Sequence, residues 1–178
     1  KTMKRKILIS PLLIFVFILA IFFYLLTKGR DPSQLPSVLL NKEIPNFESD
    51  SIIAGKRFIS KNEFTNEIIV VNFFATWCKP CRNEHAYIKN LSTNKKIKII
   101  GINYKDDEKK TIKWLKELGN PYSSIALDKN GRIAIEWGVY GIPETFVINS
   151  KNIIKYRQAG PITKNIYKKI NKIIKNIE

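Results

Sequence analysis

The sequence predicts an α/β domain with a central mixed sheet flanked by helices, set behind one apolar N-terminal helix. Three observations carry this expectation. Strand and helix signals alternate from residue 43 onward. Two runs, Glu67–Phe74 (EIIVVNFF) and Lys96–Tyr104 (KIKIIGINY), are apolar and β-branched enough for strands buried on both faces. Glu144–Ile148 and Ile153–Ala159, joined by the polar turn Asn149–Asn152, read as an antiparallel hairpin.

Ahead of the domain, Ile7–Leu26 is a run of 20 uncharged residues. As a helix it would span about 30 Å, the thickness of a bilayer's hydrocarbon core. Lys1, Lys4, Arg5 and Lys6 precede it, while Lys28 and Arg30 behind it are partly offset by Asp31. The positive-inside bias therefore predicts a cytoplasmic N-terminus and an exported C-terminal domain. The run is longer than the roughly 7–15 residues of a cleaved signal peptide's apolar region, and no Ala-x-Ala site follows Leu26. Residues 1–27 are thus expected to form a cytoplasmic stub and transmembrane signal anchor, 28–42 a linker punctuated by Pro32 and Pro36, and 43–178 the folded domain.

Within the domain, Cys81–Leu91 reads as a helix with Ala86, Ile88 and Leu91 available for burial. Asp107–Leu118 is a helix opened by acids and closed by Gly119, with Ile112, Leu115 and Leu118 at helical spacing. Ser124–Leu127 is expected as a short strand ended by the turn Asp128–Gly131. The last helix begins near Thr163; Ile166, Ile170, Ile173, Ile174 and Ile177 form its apolar stripe, and its lysines take the remaining surface. No internal repeat is present.

The net charge of +16 raises a nucleic-acid or membrane-surface reading. Lys, Asn and Ile are over-used in every kind of element, no run of five basic residues occurs, and no aromatic platform is interleaved with them. The charge is therefore read as compositional drift, with no nucleic-acid partner expected.

The chemistry concentrates at Cys78-Lys79-Pro80-Cys81. Cys78 falls where a buried strand turns into a helix, so its sulfur sits near unpaired N–H groups and the positive end of the dipole, which stabilise a thiolate. The thiolate is the attacking species in disulfide exchange. Cys81, three residues on, lies nearly one turn away and can close a redox-active Cys78–Cys81 disulfide while staying more buried. A structural zinc site would need four ligands, whereas the chain offers two cysteines and His85. Covalent haem attachment would need His at position 82, which is Arg82. No metal and no cofactor is expected, and His85 reads as a polar helix position. Downstream, Pro143 in Gly141-Ile142-Pro143-Glu144-Thr145 could hold the backbone of Ile142 against the cysteine pair, ready to meet an extended substrate.

Strand, Trp77-Cys78-Lys79-Pro80-Cys81, helix and a later Ile142-Pro143-Glu144-Thr145 resemble the thioredoxin superfamily. The blocks Asn103–Asp107, Trp114–Tyr122 and Gly138–Phe146 narrow the resemblance to the DsbE/CcmG-type, TlpA-like thiol:disulfide interchange proteins of cytochrome c maturation. That resemblance implies a thioredoxin-like fold with a helix–strand insert at about Asp106–Leu127. It implies a dithiol reductase held in the bacterial inner membrane with its domain in the periplasm. Its implied partners are apocytochrome c, through Cys-x-x-Cys-His, or a thiol protein of the maturation machinery, and a membrane electron donor of the DsbD/CcdA type. Redox-tuning or substrate-positioning roles fall to Trp77, Lys79, Pro80, Ile142, Pro143 and two glutamates. Where plain thioredoxins carry a buried aspartate, this chain has Asn72, which exchanges no proton near neutral pH. Glu84 and Glu144, flanking the two motifs, are therefore expected to handle protons or tune the pair, the other expectation being that both sit on a solvated face. A general TlpA/ResA-type reductase and a non-catalytic tethered binding module are the competing functions.

Overall fold

The structure is a computed structural model describing residues 2–27, 39–53, 55–65 and 67–177. It divides into two compact units, Lys1–Gln34 and Leu35–Glu178. In the first, α1 (Thr2–Thr27) is one helix in which Leu12–Leu26 leave large apolar side chains exposed. Among the described residues no helix is long and apolar enough to cross a membrane; the side chains of residues 1–10, which include the first part of the uncharged run, lie outside them. Residues 28–38 of the expected linker also lie outside the described residues. Its remaining stretch is already tied to the domain, since Asn41 N–H donates to Ile154 O at 2.8 Å and Ile154 N–H donates to Lys42 O at 3.0 Å.

The second unit is built on a seven-stranded mixed sheet. Its strands in chain order are β1 (Glu48–Ser51), β2 (Arg57–Ile59), β3 (Ile68–Phe74), β4 (Ile97–Tyr104), β5 (Ser124–Asp128), β6 (Glu144–Ile148) and β7 (Ile154–Ala159). In space they run β2-β1-β5-β4-β3-β6-β7. Strands β3, β4 and β5 are parallel, so their C-terminal ends share one edge, while β6 and β7 return antiparallel beside β3. All seven residues of β3 are buried, as a strand covered on both faces requires.

Helices α3 (Lys79–Ser92), α4 (Glu108–Leu118) and α6 (Lys164–Asn176) cover one face around Phe74, Ile88, Trp114 and Ile170. The short α2 (Ser60–Glu63) and α5 (Arg132–Glu136) lie with the other core, an aromatic cluster of Phe47, Phe58, Phe64, Phe73, Phe146 and Trp137. The segment expected as an insert folds as α4 and β5, with β5 pairing parallel to β4. Two expected helices, α4 and α6, keep their starts, with sequence-legible caps: Asp107 Oδ1 accepts from Lys110 N–H at 2.8 Å, and Thr163 Oγ1 accepts from Ile166 N–H at 3.4 Å. Helix α3 starts two residues earlier than expected, at Lys79, because Pro80 suits a first helical turn.

Gly101 lets β4 pass beneath two rings. A Cβ there would lie 2.9 Å from Phe74 and 3.1 Å from Tyr122. Gly101→Ala is expected to cost about 1–3 kcal/mol through overpacking, read as a lower urea midpoint with an unchanged slope.

Candidate active site

The parallel strands deliver the site to one edge. Strand β3 ends at Phe74, and Ala75–Trp77 turn the chain into α3 with Cys78 as its N-cap. Cys78 and Cys81 form a disulfide, with their Cα atoms 5.3 Å apart. Cys81 N–H donates to Cys78 Sγ at 3.2 Å, the helix-terminal contact that stabilises negative charge on that sulfur when the bond is reduced. Cys81 is the more buried of the two, at 2 % exposure against 5 %. Across from them the Ile142–Pro143 peptide is cis, and Ile142 O lies 3.7 Å from Cys78 Sγ. The two motifs, 64 residues apart in sequence, thus meet at one point.

Trp77, Lys79, Pro80, Ile142 and Pro143 surround that point. Trp77 is 59 % exposed, yet its Nε1–H donates to Lys105 O at 3.1 Å, which fixes the indole beside the cysteines. Lys79 and Pro80 are exposed, Ile142 is half-buried and Pro143 is buried. Asp106 anchors the turn from outside: its carboxylate accepts from Thr76 N–H, from Thr76 Oγ1 at 2.9 Å and from Asn103 Nδ2 at 3.2 Å. Asp106 stands in the Asn103–Asp107 block, but no local pattern marks it as the tether of the Thr76 turn.

Both glutamates are buried, so the solvated-face reading fails for each: Glu84 is 1 % and Glu144 2 % exposed. They do different work. Glu84 sits three residues after Cys81, on the same face of α3. Its Oε1 accepts from Asn72 Nδ2 at 2.8 Å and its Oε2 from Ile162 N–H at 2.7 Å. Asn72 also donates to Thr145 Oγ1 at 3.1 Å and accepts from Tyr122 Oη at 2.8 Å. Burial pushes the Glu84 carboxyl up to about 7, against these two hydrogen bonds, which favour the anion. Burial, with Glu84 nearby, raises the Tyr122 phenol well above its usual value. The asparagine that replaces the aspartate thus holds the carboxyl that titrates near neutrality.

Glu144 instead forms a buried ion pair with Arg157, Nε to Oε2 at 2.7 Å and Nη2 to Oε1 at 3.0 Å. The same pair ties down the loop before Pro143, because Tyr140 N–H donates to Glu144 Oε1 at 3.0 Å and Arg157 Nη2 donates to Gly138 O at 2.9 Å. Glu144 is thus bonded to Arg157 and to the loop before Pro143. Arg157 had no signal beyond being a cation in a half-buried hairpin strand.

His85 departs from its expected place. It is 4 % exposed, its Nε2 meets Gly119 O at 2.9 Å, and its ring packs edge-on to Trp114 with centroids 4.3 Å apart. Helix α3 turns that flank toward α4, so the histidine becomes core, and burial lowers its pKa. A cleft of about 630 Å³ beside Phe47, Asp50, Arg57, Lys129 and Ile133 does not include the cysteines among its walls. The cysteine pair is itself buried, and the exposed residues next to it are Trp77, Lys79, Pro80 and Arg82.

The comparisons with known proteins agree with this geometry. The Redoxin family matches residues 39–173. The chain is 42 % identical over 169 residues to thiol:disulfide interchange protein DsbE of Escherichia coli K12, covering 93 % of this chain and 91 % of that one. The chain belongs to the DsbE family. The Vibrio cholerae DsbE is 39 % identical over 90 % of this chain and 88 % of its own. Among solved structures, a secreted thiol-disulfide isomerase from Corynebacterium glutamicum superposes with a TM-score of 0.69 at 17 % identity, over 84 % of this chain and 95 % of that chain. The domain therefore has the thioredoxin-like fold, and this DsbE-family chain is a thiol:disulfide oxidoreductase.

Proposed function

We propose that this chain is a membrane-anchored reductase of the periplasm, keeping the Cys-x-x-Cys-His thiols of apocytochrome c, or of a thiol protein that hands them on, reduced during cytochrome c maturation. The observation that carries the reading is the meeting of Cys78 Sγ, the Cys81 N–H and the Ile142 carbonyl at the exposed end of α3. Residues 1–27 serve as the anchor: Ile7–Leu26 lacks a charge and lies within a single helix, Thr2–Thr27.

In the reduced protein Cys78 is the nucleophile and Cys81 the resolving thiol. The Cys78 thiolate attacks one sulfur of the substrate disulfide; an S–S bond forms, the substrate S–S bond breaks, and the other substrate sulfur leaves as a thiolate. Cys81 then gives up its proton and attacks Cys78 Sγ. The mixed disulfide breaks, the second substrate thiolate departs, and the Cys78–Cys81 disulfide forms. Two electrons have passed to the substrate. Glu84 takes the Cys81 proton, being on the same helix face with a carboxyl poised near 7. Trp77 and the backbone of Ile142 flank the substrate segment, Lys79-Pro80 sets the potential of the pair, and Pro143 and Glu144 hold the loop. A DsbD/CcdA-type membrane donor returns the two electrons.

The test uses a peptide carrying an oxidised Cys-x-x-Cys-His motif. The reduced full chain is expected to convert it to the dithiol with one Cys78–Cys81 disulfide formed per peptide, counted by mass after alkylation. A reduced chain that cleaves a small-molecule disulfide yet leaves this peptide oxidised would remove the apocytochrome assignment and favour a different protein substrate.

A further inference from the structure

The positive charge of the domain is not evenly spread. Helices α3, α4 and α6 pack on one face of the sheet, around the shared core of Ile88, Trp114 and Ile170. Together they hold twelve basic residues, all exposed, against three acids, of which Glu84 is buried. The rest of residues 39–177 carries thirteen basic and ten acidic residues. Ion pairs occur in both sets: Arg57 with Glu48 and Asp50, Lys129 with Asp50 and Arg132 with Glu136 off the helical face, and Lys113 with Glu117 on it. Helix α6 contains no acid at all. A drift toward lysine would load every exposed surface alike, so it leaves this asymmetry unexplained.

We propose that the α3/α4/α6 face docks on an anionic phospholipid surface, chiefly through the lysines of α4 and α6. The idea rests on the anchor reading above, because the anchor supplies proximity. Residues 28–38 separate Thr27 from Leu39, a reach of at most about 40 Å. A tether that short holds the domain at an effective concentration on the order of millimolar at the surface. Attraction between exposed charges fades beyond a Debye length of about 8–10 Å, which rewards lysines gathered on one face over the same number scattered. Eleven of the twelve cations are lysine and only Arg82 is arginine. Lysine, a hydrated point charge, needs no fixed partner geometry and so is compatible with a fluid array of phosphates, whereas arginine's planar fork suits carboxylates and phosphates held in place. No rim of acids or exposed aromatic anchor accompanies the α6 lysines, as a protein interface would favour.

Docking has a consequence for exchange. The chain joins the domain at Asn41–Ile44, beside Asn152–Ile154. That is the end of the hairpin away from Pro143 and the cysteines, since β6 runs from Glu144 to Ile148. Laying the helical face on lipid brings the cysteine edge, with Lys79 and Arg82, toward thiol partners held at the membrane.

Lysine footprinting by reductive dimethylation, which keeps the charge, tests this on the full chain in lipid nanodiscs. Discs of phosphatidylcholine are compared with discs containing three-tenths phosphatidylglycerol. Lys113, Lys116, Lys168, Lys172 and Lys175 are expected to react several-fold more slowly in the anionic discs, with the difference lost at about 0.5 M salt. Lys61, Lys129 and Lys151, off this face, should react alike in both. K168E with K172E should release the remaining α4 and α6 lysines, each lysine being worth about fivefold in surface partition. Equal reactivity in the two discs overturns the proposal. Co-elution of chain and disc reads the anchor separately: a chain that stays out of the discs overturns the anchor, and the same footprint on vesicles of the two compositions then decides the face. Stronger protection of these lysines by polyglutamate than by anionic lipid at matched charge would assign the face to an acidic protein and overturn the lipid assignment.

Discussion

Cys81→Ser is expected to stop exchange half-way, leaving Cys78 covalently joined to the substrate, whereas Cys78→Ser is expected to form no adduct. The difference follows from the two positions. Cys78 caps α3 beside Ile142 and the exposed Trp77 and Lys79, and is the less buried of the two sulfurs. Cys81 lies one turn in, buried against the core, where only an intramolecular attack is open to it. Removing the attacking sulfur should lower the rate by on the order of a thousandfold or more, to that of solution exchange. Cys81→Ser should lose turnover as fully but accumulate a mixed disulfide, visible on non-reducing gels with an oxidised Cys-x-x-Cys-His peptide. An adduct with Cys78→Ser and none with Cys81→Ser would reverse the roles assigned here.

Glu84→Gln should remove a pH dependence that the wild-type fold carries. Between pH 4.5, the ordinary value, and about 7, its value in the fold, the folded chain keeps the Glu84 proton that the unfolded chain has lost. Stability therefore falls as pH rises across this window, by on the order of 3 kcal/mol in total. His85 works in the opposite sense: burial lowers its pKa, so the stability it contributes is present above about 6.5 and lost as pH falls. In the glutamine variant only this second trend should remain. The variant also leaves one of two N–H donors, Asn72 or Ile162, facing an amide NH2, at a cost of about 1–3 kcal/mol at every pH. Urea unfolding of the oxidised protein at pH 5, 6, 7 and 8 reads both effects. The reduced proteins extend the test to chemistry, because the release of substrate by Cys81 should titrate near pH 7 in wild type and lose that step in Glu84→Gln. Parallel curves for the two proteins in both measurements would leave Glu84 with no proton-handling role.

The sequence made much of this legible because the central strands speak plainly. The runs forming β3 and β4 are continuous and β-branched, as only strands covered on both faces can be, and the cysteine motif sits at the turn between such a strand and a helix. Other elements carry weaker local signals. Glu48–Ser51 (ESDS) and Arg57–Ile59 are short strands at one end of the sheet, with Arg57–Ile59 at its edge, defined by their pairing with β5 and with each other. The five residues of α5 are capped by a carboxylate, Asp128, that local propensity does not single out as a cap. At the site, the cysteines and Pro143 were readable from residue type and spacing, but the environment of Glu84 was not. Its partners come from β3, from β6 and from the segment before α6, and no local pattern encodes that convergence. Asn72 was the readable clue, a lone amide in an otherwise apolar strand. Which cations lie near one another is likewise not readable along the chain, since it depends on α3, α4 and α6 packing on one face of the sheet.

The central claim is that the Cys78–Cys81 pair works as a reductant. Its most direct measurement is acid quenching of cells producing the full chain, followed by thiol alkylation with a mass tag, in a bacterium with its DsbD/CcdA-type donor intact and in one lacking it. The account predicts that both cysteines take the tag when the donor is present and neither does when it is removed. A pair that stays disulfide-bonded with the donor in place would contradict it.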